Sequence, residues 1–297
     1  MLKQAGASGA ATGAAGEMEN RSVEVGEGRI RATLIPQPCR AAPLVVLVHG
    51  GGCHSGYFDL PGRSLLQAAR GKGFAVLLVD RPGHGASLPA ASAYPIAEAA
   101  ALLADLVDEI TRDQLPGVRK WALVGHSIGG AVARQAAALT RRAAPDAIVV
   151  SGIGATPTQA AAQWFEQGRT AQEPPPAAFF FGPDGTFEWS SPLLLRRIAQ
   201  PWRFEEVREV LEDWPARFGA VAVATPCPVL FALAEHEAIW RSDACELKRV
   251  ASLFGGRASC VSLPAGAHLY ELHKRGGAWV DRQLSFLSEA FDDARRA

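Results

Sequence analysis

Short runs of consecutive apolar residues, each about a strand in length, alternate along the chain with longer Ala- and Leu-rich segments of helical period. Leu44–Val48 is a continuous Leu/Val run ending in His49-Gly50; continuity rather than alternation predicts a strand buried on both faces. Phe74–Asp80, Trp121–Gly125 and Ala147–Ser151 read the same way, and Pro228–Ala234 and Ala258–Leu263 complete the set. Ser22–Ile35 instead alternates about a Gly-containing turn, which predicts an antiparallel opening hairpin. Helices are expected near Leu65–Arg70, Ile96–Thr111, Gly129–Arg142, Ala244–Leu253 and Ala278–Ala290. This rhythm predicts an α/β fold, a mostly parallel eight-stranded sheet flanked by helices.

From Gly154 to Ala222 the rhythm breaks. The segment holds Trp164, Trp189, Trp202, Trp214 and the triplet Phe179-Phe180-Phe181, includes EPPPA, and has no clear buried strand. It is too long for a plain loop, so residues 154–222 are expected to form a helical lid inserted after the sixth strand. Residues 21–153 and 223–297 would then make the core, and the Ala/Gly-rich residues 1–20 a disordered leader without the apolar block of a signal peptide.

Composition narrows the function classes. In 297 residues, 30 Lys and Arg balance 30 Asp and Glu, so there is no basic stripe to argue for nucleic acid or an anionic membrane surface. No apolar run approaches the roughly 18 residues of a spanning helix. Cys39, Cys53, Cys227, Cys245 and Cys260 are odd in number and lack CxxC spacing, which points to a cytoplasmic protein without a zinc site. Neither HExxH nor a GxGxxG after a strand occurs, so no metal and no cofactor is expected.

Three loops carry the candidate chemistry. Gly125-His126-Ser127-Ile128-Gly129 follows the strand-like WALV and precedes an Ala-rich helix, the setting of a strained turn that lifts a serine hydroxyl above the sheet. His49-Gly50-Gly51-Gly52 follows the first buried strand, where N–H groups of Gly51 or Gly52, with that of Ile128, would form an oxyanion hole. Asp80-Arg81-Pro82-Gly83-His84-Gly85-Ala86-Ser87 follows the next strand; Asp80 is read as a loop anchor and His84 as a loop residue. Cys53 and His54 are read as bystanders, and a plain helix cap is the simpler role weighed for Ser127.

HGGG, DRPGHGAS, GHSIGG and a late histidine, in that order and at strand ends, resemble the α/β-hydrolase fold superfamily over nearly the whole chain after residue 22. The resemblance implies the chain order Ser, then acid, then His. His268, in a loop just past the last strand, is favoured as base over His273. The acid should leave strand Pro228–Ala234, where Ala234-Glu235-His236-Glu237 matches a G-x-x-D pattern with glutamate at the acidic position. Glu237 is chosen over Glu235, and Asp243 reads as a helix start.

Serine at 127 departs from similar enzymes that use an aspartate nucleophile, and the segment 154–222 contains no tyrosine to open an epoxide. The expected reaction is hydrolysis of a carboxylic ester of an apolar small molecule through a Ser-His-Glu triad. A thioesterase or acyltransferase acting on a carrier-bound chain, a lyase using the same residues, and a hydrolase-like binding protein stay open, as does the oligomeric state.

Overall fold

The structure, a computed structural model, describes residues 20–87, 94–168 and 176–293. The expected leader, apart from Asn20, and the Glu173–Pro175 part of EPPPA lie outside these residues. Eight strands form one sheet: β1 (Arg21–Val25), β2 (Ile30–Ile35), β3 (Leu44–Val48), β4 (Ala75–Asp80), β5 (Trp121–His126), β6 (Ala147–Ser151), β7 (Val229–Ala234) and β8 (Ala258–Leu263). Their spatial order is β1-β2-β4-β3-β5-β6-β7-β8. β1 pairs with β2 and β2 with β4 antiparallel; β3 to β8 run parallel.

The apolar runs become central strands because helices cover both faces. Every residue of β3, β5, β6 and β7 is buried, whereas the edge strand β8, ASCVSL, is only partly covered and carries serines. Ten helices accompany the sheet among the described residues: α1 (Leu65–Gly71), α2 (Ile96–Glu109), α3 (Ile128–Ala137), α4 (Gln159–Gly168), α5 (Ala177–Phe181), α6 (Ser191–Ile198), α7 (Phe204–Arg208), α8 (Trp214–Ala224), α9 (Ala244–Leu253) and α10 (Gly276–Asp293). One core joins the sheet to α2, α3, α8 and α9 through residues such as Leu103, Val132, Phe218 and Val250. The other joins it to α1 and α10 through Leu66, Trp279 and Leu287.

Two helices end earlier than expected. The expected Gly129–Arg142 stops at Ala137, because the Asp108 carboxylate on α2 accepts the backbone N–H groups of Arg141 (2.9 Å) and Arg142 (3.3 Å) and draws the chain out of helical register. The expected Ile96–Thr111 ends at Glu109 and opens into a wide turn over Ile110–Gln114. The C-terminal helix, expected over Ala278–Ala290, instead runs Gly276–Asp293.

Helices α4 to α8 lie between β6 and β7. The expected boundary at residue 222 falls inside α8, and that helix packs into the core layer rather than over the strand ends: Trp214, Phe218 and Ala222 belong to the core around α3. Its anchor is unusual. Arg134 of α3 is fully buried, with its guanidinium carbon 4.2 Å from the Phe218 ring centroid and 5.1 Å from those of Trp214 and Phe254. Only Nη2 has a hydrogen-bond acceptor, the Phe218 carbonyl at 3.3 Å, and burial pushes the guanidinium down to about 9. Desolvating such a charge outweighs the ring contacts, each worth about 2 kcal/mol when desolvated. Arg134→Met, which keeps length and removes charge, is therefore expected to leave the urea midpoint unchanged or raise it. Arg134→Ala should cost about 2–4 kcal/mol through the cavity it leaves. A Met variant as unstable as the Ala variant would show that the cation–ring contacts dominate.

Candidate active site

The three loops singled out in the sequence converge at the C-terminal ends of β3, β4 and β5. At the turn from β5 to α3, Ser127 holds φ 52° and ψ −127°, a left-handed conformation strained for a residue with a side chain. Neighbouring glycines permit the turn: a Cβ on Gly125 would stand 2.6 Å from the Gly129 carbonyl oxygen, and one on Gly129 would strike the Val48 and His49 carbonyls. Ser127 N–H donates to the Ser151 carbonyl at 2.7 Å, and its side chain makes no cap bond to α3.

The hydroxyl instead faces His268. Ser127 Oγ lies 3.1 Å from His268 Nε2, and His268 Nδ1 lies 3.1 and 3.2 Å from the two carboxylate oxygens of Glu237. All three residues are thus brought together, with His268 and Glu237 buried. Glu237 Oε1 also accepts the Ile239 N–H at 3.1 Å, which fixes the carboxylate. Thr158 N–H to the Ile239 carbonyl and Arg241 N–H to the Thr156 carbonyl, both 2.9 Å, tie this loop to the chain leaving β6.

The other candidates take supporting positions. Glu235 Oε2 accepts the Ala265 N–H at 2.8 Å, and His236 N–H donates to the Gly266 carbonyl at 2.9 Å, so both brace the His268 loop from outside. His273, expected on a helical turn, is extended and buried; its Nε2 accepts the Ala267 N–H at 3.0 Å, remote from Ser127. Asp243 caps α9 by accepting the Cys245 and Glu246 N–H groups. Asp80 accepts the N–H groups of Ser55 and Ala86, both at 2.9 Å, anchoring its own loop. His54 caps Gly56, and burial pushes the Cys53 thiol up to about 12, so it stays protonated.

Gly51 and Gly52 line the same cavity as Ser127. A Cβ on Gly50 would stand 3.1 Å from Ser127 Cβ and one on Gly51 2.9 Å from Ile128 Cδ1, so this loop presses its backbone against the elbow. Ile128 opens α3, where the first N–H groups of a helix lack partners within it.

Two cavities meet at Ser127. One of about 90 Å³ is walled by Tyr57, Phe180, Leu195 and Leu269 beside the glycine loop; one of about 40 Å³ is walled by Trp164, Phe179, Val210 and Trp240. Trp202, His268 and Ser127 belong to both. Trp202 stacks on Phe180 at 5.6 Å and stands as the partition, so the segment between β6 and β7 supplies most of the apolar walls.

Sequence reasoning missed the roles of four buried polar residues. His126 stacks on Tyr57 at 4.8 Å and contacts Ser151 Oγ through Nδ1 at 3.1 Å; burial, then His268, hold it well below the ordinary imidazole range. Glu271 accepts hydrogen bonds from Tyr57 Oη and Trp279 Nε1, and burial raises its carboxyl. Arg81 and Glu206 form a buried ion pair at 2.8 Å. His126 and Arg81 stand within motifs read from the sequence, but neither motif reveals a buried partner, because Ser151 and Glu206 are distant along the chain.

The model of an alpha/beta hydrolase family matches residues 45–281. No curated protein matches the sequence. Among solved structures, a thermostable carboxyl esterase from Bacillus coagulans superposes with a TM-score of 0.67 at 14% identity, covering 92% of this chain and 98% of that one. An enol-lactonase from Burkholderia xenovorans gives 0.65 at 19%, covering 90% and 100%. A 2-hydroxy-6-oxo-6-phenylhexa-2,4-dienoate hydrolase from a Rhodococcus strain gives 0.63 at 20%, covering 92% and 99%.

Proposed function

The chain belongs to the alpha/beta hydrolase family, and from that premise we propose that it is a serine hydrolase cleaving a carboxylic ester of an apolar small molecule. The observation that carries the reading is the unbroken line from Ser127 Oγ through His268 to Glu237, at 3.1 Å each step. His268 Nε2 takes the hydroxyl proton as Oγ attacks the ester carbonyl, while Glu237 holds Nδ1–H and offsets the imidazolium charge. The oxyanion is received by N–H groups of the glycine loop, Gly51 or Gly52, and of Ile128, each donor typically worth about 3–4 kcal/mol. His268 then returns its proton to the leaving alkoxide, giving the alcohol and an acyl-Ser127 ester. Water, deprotonated by His268, releases the carboxylic acid and restores the hydroxyl.

The segment over 154–213 acts here as a lid whose aromatic walls select the substrate. Apolar walls favour an apolar group on both sides of the scissile bond, with Gln200 the one amide side chain among the lining residues. A cavity of 150 Å³ holds benzene, so the larger one, about 90 Å³, suits an acyl chain of roughly four carbons. Across p-nitrophenyl esters, kcat/KM is expected to peak between acetyl and butyryl and to fall at least about tenfold by octanoyl. A fluorophosphonate should label wild type once, at Ser127. Labelling without turnover of any ester in the series would sink the ester reading, and absence of both would sink the serine-hydrolase reading.

A further inference from the structure

Beneath the glycine loop lies a charged cluster that the proposed chemistry does not touch. Arg81, 2% exposed, follows β4, and its guanidinium is fully engaged. Nε donates to the His49 carbonyl and Nη2 to the Gly50 carbonyl, both at 3.0 Å. Nη1 and Nη2 also grip the Glu206 carboxylate at 2.8 and 3.3 Å. Glu206 stands on α7, within the segment between β6 and β7, and is 4% exposed.

His49 completes the arrangement. Its Nε2 accepts the Arg81 N–H at 3.1 Å, so that nitrogen carries no proton. Burial, then Arg81 and His84, hold the ring well below its ordinary range and keep it neutral, so the proton sits on Nδ1. Nδ1–H therefore donates to the Gly50 carbonyl at 2.7 Å. That single oxygen is held by two strong donors, one of them cationic.

In a trans peptide the N–H points opposite to the carbonyl of the same plane. Pinning the Gly50 oxygen down toward buried Arg81 turns the Gly51 N–H away from it, toward the cavity that Gly51 lines with Ser127. The same segment also holds the glycine loop at Gly52, whose carbonyl accepts the Gln200 N–H at 2.8 Å, and the loop after β4 at Gly85, whose N–H donates to Gln200 Oε1 at 2.9 Å.

We propose that Arg81, neutralised by Glu206, is a positioning residue that aims the Gly51 N–H at the oxyanion site, so that a competent hole exists only while α7 is docked. This rests on the serine-hydrolase reading for the identity of the oxyanion, but not for the geometry of the clamp. A buried charge stripped of its partner is destabilising by itself, so single variants mix stability with positioning. The informative variant is Arg81→Met/Glu206→Met, which removes both charges and leaves apolar chains of similar length.

Two readouts follow, each set against wild type. The double variant is expected to melt within a few degrees of wild type, with KM within twofold and kcat reduced about 10- to 100-fold. Arg81→Lys, which cannot span both carbonyls and Glu206, should not restore kcat. Amide exchange across residues 49–53 should rise at least tenfold in the double variant while β3 and β5 stay protected. Unchanged exchange in that segment, or wild-type kcat in the double variant, would overturn the clamp. A wild type that turns over no ester, with exchange still rising in the double variant, would sink the ester reading and uphold the clamp.

Discussion

Ser127→Ala is expected to lower kcat/KM by about 10⁴-fold or more on any ester that wild type hydrolyses, and to abolish fluorophosphonate labelling. The reason is local. The hydroxyl is the group 3.1 Å from His268 Nε2, and among the described residues no other hydroxyl hydrogen-bonds that nitrogen. His268→Ala should cost nearly as much, and combining the two should add little, because groups that act as a unit are not additive. The fold should survive, since the Ser127 side chain caps nothing. Ser127→Gly should go further and gain about 1 kcal/mol, because glycine adopts φ 52° without the strain that a side chain brings. Intact-mass labelling, steady-state kinetics and thermal melts on these four variants check this set. Residual activity above about 1% in Ser127→Ala would remove serine as the nucleophile.

The second large effect is loss of stability in mild acid. Burial, then Arg81, press His84 down to about 4, with Glu206 pulling the other way. At neutral pH His84 is therefore uncharged, and its 3.7 Å contact with Glu206 is not an ion pair. His49, His126 and His273 are likewise lowered, each first by burial. Below about pH 6.5 the unfolded chain binds protons that these folded imidazoles refuse, so folding free energy falls with falling pH. For His84 alone the loss between pH 6.5 and 5 is about 2 kcal/mol, and the other imidazoles add in the same direction.

Carboxylates enter on both sides of this balance. Glu271, raised by burial, stabilises the folded state toward low pH and opposes the histidines. Burial would also raise Glu206, but Arg81, His84 and Arg203 hold it below its ordinary value, so its contribution is lost only as pH falls through that lower value. Four imidazoles outweigh one carboxyl, and urea midpoints are expected to drop steeply from pH 7 to 5. His84→Gln should flatten that slope. A flat profile in wild type would show that the imidazoles bind protons equally in both states.

The sheet was legible because its signal is local. Five continuous apolar runs and the serine-interrupted Ala258–Leu263 became the six parallel strands to within a residue at either end, and the alternating hairpin became β1 and β2. The glycine spacing around Ser127 was equally readable, since a close backbone approach excludes a Cβ whatever the rest of the chain does. The sequence also held His268 and Glu237 as candidates, but only folding brings the three residues within hydrogen-bond reach, from loops after β5, β7 and β8. Helix ends were decided elsewhere: α3 stops where Asp108, on another helix, captures the Arg141 and Arg142 N–H groups. The Arg81–Glu206 pair, 125 residues apart, left no pattern at all. A strand or an elbow is specified by neighbours along the chain, whereas a buried charge is specified by its counter-ion, and that partner is in place only once the segment between β6 and β7 has folded back onto the sheet.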